Sequence, residues 1–170
     1  MHPSLVTLYV DPDMNERDIA VHELGHAIAV HLYHRPLYAV EIHEVGEHDP
    51  IAGQCWHGCR IGSKKEAVME IVIAMSGPLN NVLDTGRFSY IDSLNCFHDT
   101  HRAALLKELH DIKEATIKAH LRHVTRYVIY LKQSGEYEAM IQDLITKRRL
   151  DCRDLYYHLA RVFTSPHPCE

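Results

Sequence analysis

Asn15-Glu16-Arg17-Asp18-Ile19-Ala20-Val21-His22-Glu23-Leu24-Gly25-His26-Ala27-Ile28-Ala29-Val30-His31-Leu32-Tyr33-His34 is the stretch on which the fold turns. Ile19, His22, Glu23, His26, Ala27 and Val30 recur at steps of three and four, the period of one helical face, so a helix is expected over 15–34. Asn15 or Asp13 can cap its start, and Pro36 is the strongest breaker beyond its end. Outward from this helix, 37–45 alternates, with Val40 and Ile42 against Glu41 and His43, as a strand with one exposed face does. A turn over 46–50 and a returning strand over 52–56 follow.

A second helix is expected over 63–84, with Ser63 as cap, Glu66 as its capping-box partner and Ala67, Ile71, Ala74 and Met75 as an apolar stripe. Pro78 after Gly77 predicts a kink or a fresh start within it. The stretch 86–95 reads as a loop. A long helical pattern over 97–132 has a break expected near Asp111 and a stop at Gly135, and shorter helices over 137–148 and 151–163 precede a tail, 164–170. No repeat or linker divides the chain, so a single domain over 1–170, with its core over about 15–159, is expected. The fold class is mainly α (α+β), a helical domain with a small β-sheet near the first helix.

Composition narrows the function classes. Among 170 residues, 46% are hydrophobic and 24% charged, which argues against disorder. A formal charge of -5 offers no basic field for counterion-driven binding, so no nucleic-acid partner is expected. The first residues lack the basic and apolar segments of a secretory signal, and the central apolar run at 71–75 is too short to cross a bilayer, so no membrane insertion is expected. Five cysteines at irregular spacings, Cys55, Cys59, Cys96, Cys152 and Cys169, make a poor disulfide framework and fit a cytoplasmic, reducing compartment. Histidine is the outlier: fifteen residues, and the commonest metal ligand.

Within the first helix, His22-Glu23-Leu24-Gly25-His26 matches H-E-x-x-H. Residues four apart share a helical face, so His22 and His26 can direct their imidazoles at one ion. Zn(II) accepts such nitrogens and, in catalytic sites, takes three protein ligands and leaves a position for water. Glu23 stands at the edge of that face, where its carboxylate can take the water's proton. The third ligand has to come from elsewhere, and Glu66, Glu70, Asp84, Asp92 and Asp99 are the carboxylates in reach.

His22-Glu23-Leu24-Gly25-His26-Ala27 resembles the HEAGHA signature of the FtsH-type peptidase domain, the zinc-protease half of the AAA+ membrane-anchored proteases. Downstream, Tyr38-Ala39-Val40-Glu41-Ile42 is similar to that family's strand, Ala52-Gly53 to its return, and Ile73-Ala74-Met75-Ser76-Gly77 to its apolar run ending in Gly-Gly-Arg-Ala-Ala. Phe97-His98-Asp99-Thr100-His101-Arg102-Ala103 falls where the family has Ser-Asn-Asp-x-x-x-Ala, whose Asp is the third zinc ligand, so the resemblance implies Asp99. Two departures stand out: Gly77-Pro78-Leu79-Asn80-Asn81 replaces Gly-Arg-Ala-Ala-Glu-Glu, and His98 replaces the family's Asn. The ATPase half is missing, and Gly58-Cys59-Arg60-Ile61-Gly62-Ser63-Lys64 has the wrong order for a phosphate loop.

The resemblance therefore implies a stand-alone zinc endopeptidase that cuts flexible or unfolded polypeptides, as a homo-oligomer or beside a separate ATPase partner. Its rivals are an inactive zinc-retaining binding module and a regulatory H-E-x-x-H metallopeptidase with Glu66 or Glu70 as third ligand. His98 and His101 flank Asp99 and can support or replace it. Cys55, His57 and Cys59 cluster without a fourth ligand and read as a loop with reduced thiols. His43, His48, His110, His120, His123 and His167 read as surface or loop residues. An extended substrate is expected to pair with 37–45 as an exposed edge.

Overall fold

The computed structural model describes residues 2–9, 15–43, 51–87 and 97–162. The chain order is β1 (His2–Tyr9), α1 (Glu16–Leu32), β2 (Leu37–Ile42), β3 (Ile51–Cys59), α2 (Lys64–Thr85), α3 (Phe97–Leu109), α4 (Glu114–Ser134), α5 (Glu136–Lys147), β4 (Arg149–Asp151) and α6 (Cys152–Val162). Helices dominate, and the four strands form one antiparallel sheet in the order β1-β3-β2-β4. The mainly α (α+β) expectation holds.

Helix α1 is the centre of the molecule. Asn15 caps it through a reciprocal box, its side chain accepting from the Asp18 amide at 3.0 Å while Asp18 accepts from the Asn15 amide at 3.3 Å. Asp18 through His31 is buried without interruption, because α1 lies between β2 and β3 on one side and α2, α4 and α5 on the others. That explains why apolar residues surround the helix rather than marking one stripe.

Ser63 caps α2, accepting from the Glu66 amide at 3.2 Å, but Glu66 returns its carboxylate to the Gly62 amide at 2.8 Å and the Ser63 hydroxyl rather than closing on the cap backbone. Helix α2 continues through Pro78 as one helix, so the expected fresh start is absent. A proline forfeits one hydrogen bond and crowds the preceding turn, and here Ile71 through Ala74, Ser76 through Pro78 and Asn80 through Val82 are all buried, so tertiary packing outweighs that penalty. The break near Asp111 is present between α3 and α4, with Asp111 at φ 47°, and Gly135 at φ 81° ends α4.

Three further expectations are corrected. The described part of the expected edge, β2, is not exposed as an edge: it pairs with β3 on one side and with β4 on the other, Val40 facing Cys55 and Leu150. The Cys55-His57-Cys59 stretch is strand, not loop. Cys55 and Cys59 are reduced thiols, but Cys152 is disulfide-bonded, so the cysteine argument for a reducing compartment does not extend to it. The turn expected at 46–50 and the tail 164–170, with His48, Asp92, Cys96 and His167, lie outside the described residues. Among the described residues no helix is long and apolar enough to cross a membrane.

Candidate metal centre

Helix α1 supplies His22, Glu23 and His26, and the first turn of α3 brings Asp99 to them across a sequence gap of more than seventy residues. The Asp99 Oδ2 lies 3.1 Å from His22 Nε2 and 3.3 Å from His26 Nε2. Three donors held about 2.0–2.1 Å from a tetrahedral centre stand about 3.3 Å from one another, so these separations suit a shared cation. Among the described residues, His22, His26 and Asp99 are the group whose ligand atoms all fall within 4.8 Å.

The outer nitrogens fix which way each ring presents its lone pair. His22 Nδ1 donates to Asn81 Oδ1 at 2.9 Å, and the Asn81 amide is oriented in turn by donating to the Asp18 carbonyl at 2.8 Å. His26 Nδ1 donates to the Ile73 carbonyl at 2.8 Å. With the proton on Nδ1, both Nε2 atoms face the centre as acceptors, the arrangement that metal-ligating histidines adopt. Asn81 and the Ile73 carbonyl were missed in the sequence; for Asn81 the available signal was a pair of amides, Asn80-Asn81, in the largely apolar stretch 71–83.

Two glycines shape the space. A Cβ on Gly77 would stand 2.5 Å from His26 Nε2 and 2.6 Å from His22 Nε2, where an ion has to sit. One on Gly53 of β3 would stand 2.7 Å from Glu23 Cγ. The missing side chain of Gly77 thus leaves the cradle open.

Electrostatics points the same way. Burial pushes the Glu23 carboxyl up to about 8, with His26 opposing and Asp99 adding to the rise, and neither Glu23 oxygen has a hydrogen-bond partner. Burial works against charge on His26, but the Asp99 and Glu23 carboxylates outweigh it and lift His26 to about 9. Burial dominates at His22 and lowers its pKa. Burial alone would raise Asp99, yet the two imidazoles hold it at about 2. Two carboxyl groups in a dry pocket draw positive charge toward them, and a divalent cation meets that demand while leaving both imidazoles neutral.

The other carboxylates stand elsewhere. Glu66 is half-buried at the start of α2, Glu70 is buried in an ion pair with Arg102 at 3.0 Å, and Asp84 accepts from Arg17 and Lys132 at 3.2 Å. His98 and His101 are exposed and do not join the group. Cys55, His57 and Cys59 follow Gly53 along one face of β3 but form no metal-ligand group. Among the described residues, three histidines outside this group, His31, His57 and His158, are also buried. His158 lies between Glu136 at 3.0 Å and Asp143 at 3.3 Å.

No model of a known protein family matches the chain, and no curated protein matches it either.

Proposed function

We propose that the chain is a zinc-dependent endopeptidase that hydrolyses peptide bonds of flexible or unfolded polypeptides, with His22, His26 and Asp99 as metal ligands and Glu23 as general base. The convergence of two Nε2 atoms and one carboxylate oxygen, with each Nδ1 held separately, is the observation that carries this reading. When bound, zinc supplies Lewis acidity that polarises the scissile carbonyl and acidifies water toward a pKa of about 7.

The chain's own residues do the rest. Glu23 is dry and unpartnered beside the ligand set; ionised in the field of a bound cation, it can take the attacking water's proton and release it to the leaving nitrogen. The water oxygen joins the carbonyl carbon, the C–N bond breaks, and the transferred proton leaves with the amine. Asn81 and the Ile73 carbonyl keep both rings in the productive tautomer. Any unfolding motor would lie outside residues 1–170.

Metal content and cleavage of an unfolded protein, measured for wild type beside Glu23→Gln, test the reading. Both proteins are expected to hold zinc, and the variant to be slower by about 10²–10⁴-fold, the usual contribution of a general base. Zinc retention with no cleavage by either protein selects the inactive binding module instead. Absence of metal from wild type removes the whole constellation.

A further inference from the structure

The proposed catalytic group is sealed. His22, Glu23 and His26 have 0% exposure and Asp99 2%, so no peptide can reach Glu23 unless some element moves. Helices α1 and α2 with strands β2 and β3 carry the hydrophobic core and are poor choices for that movement. Strand β1 is placed differently. Among the described residues it is an edge strand that pairs with β3, and it also meets α3, the helix that carries Asp99. It therefore spans the side between the strand that covers Glu23 and the helix that completes the metal site.

The register places this strand over the chemistry. In the antiparallel pairing Leu8 faces Gly53, the residue packed on Glu23, and the register slips between Leu8 and Tyr9 at that point. Val6 faces Cys55, Ser4 faces His57 and His2 faces Cys59. Bulges of this kind recur beside active sites, where they end or redirect pairing.

We infer that β1 holds the substrate's seat: His2–Tyr9 is an intramolecular occupant whose displacement frees the β3 edge, and an extended polypeptide then pairs antiparallel with Ile51–Cys59 and passes Glu23 at Gly53. This rests on the peptidase reading for its chemistry, but the strand exchange itself needs no catalysis. Pairing through the main chain gives affinity with little demand on side chains, so the seat accepts extended, unfolded segments as a class. The seated strand scales apparent affinity down to the fraction of molecules that are open, which keeps the site idle until a segment competes for it.

The test is made on the full chain carrying Glu23→Gln, with a fluorescent peptide of the sequence His-Pro-Ser-Leu-Val-Thr-Leu-Tyr as probe. Alternate residues of an antiparallel pair donate to the partner, so Val6→Pro with Thr7→Pro removes at least one ladder bond whichever face donates. The double variant is expected to bind the peptide at least tenfold more tightly than its parent. Val6→Cys, placed across from Cys55 and oxidised with glutathione disulfide, locks the strand and is expected to abolish binding until reduced. Equal binding by the double variant and the locked form overturns the inference. Where the proline pair does not fold, amide exchange over Ile51–Cys59 decides: at least tenfold faster exchange of the β1-facing amides in reduced than in oxidised Val6→Cys supports it, and equal rates overturn it. Cleavage assays with Glu23 restored separate the two readings. Peptide binding without turnover leaves the strand exchange standing and removes the peptidase, whereas turnover at one rate in locked and unlocked forms does the reverse.

Discussion

Two glycines in this molecule do work that an alanine could not, and they do it for different atoms. A methyl at Gly77 would intrude within 2.6 Å of both ligand nitrogens, while one at Gly53 would press the Glu23 side chain. Gly77→Ala is expected to keep its helix, since alanine favours helix by about 1 kcal/mol, and to lose metal affinity by at least about tenfold to a hundredfold, the scale on which disturbed supporting contacts act. Gly53→Ala is expected to keep zinc and lose turnover. Zinc titration and peptide cleavage on the two proteins check this, and full zinc affinity in Gly77→Ala would move the ion elsewhere. The residue-level reading of the sequence reached His22, Glu23 and His26 because a four-residue step on a helix is a local geometric fact. It reached Asp99 only through a resemblance, because what joins Asp99 to α1 is the packing of α3. It missed the Ile73 carbonyl for the same reason: nothing local marks a backbone carbonyl as the partner of an imidazole forty-seven positions earlier.

At the level of elements, α1 and α2 cross through small residues. A Cβ at Gly25 would lie 2.4 Å from the Ser76 carbonyl oxygen and 3.0 Å from the Gly77 Cα, so the two helices touch through backbone. That contact is what sets Gly77 beneath the ligand nitrogens and Asn81 beside His22. Gly25→Ala is therefore expected to force the helices apart at a cost of about 1–3 kcal/mol, the range for overpacked interiors. Urea unfolding should show the lowered midpoint, and the metal affinity should fall with it; an unchanged midpoint would mean the crossing is slack. Helix boundaries were legible because Asn15, Ser63 and Gly135 carry their own capping or stopping chemistry. A fresh helix start was expected at Pro78 because a local penalty was weighed without the burial that offsets it. Strand β2 was misread in a complementary way: alternation reports which faces are wet, but not whether a strand's edges are paired, and β4, only three residues long, gives no period to detect.

Across the whole molecule, the burial of imidazoles outside the metal site sets a dependence on acid. His31 has 2% exposure beside the rings of Tyr127 and Tyr156, its Nε2 is unpartnered, and burial lowers it to about 4; His57 has 0% exposure and is lowered to about 4 by burial, against a weak backbone hydrogen bond. Both lie below the ordinary value of 6.5. As pH falls from about 6.5 to about 4, the unfolded chain takes up protons that the native fold refuses, so the unfolded state binds more protons and stability declines through that window. Each imidazole accounts for about 2 kcal/mol between about pH 7 and pH 5 at these shifts. The measurement is the urea midpoint at both pH values, with chelator present so that loss of metal does not add to the change. His31→Phe, which keeps a ring between the two tyrosines and removes the titration, is expected to recover about 2 kcal/mol of the acid loss. A variant with the wild-type pH slope would show that His31 is protonated in the native state, and that the acid response belongs to His57 or to the metal-site carboxylates.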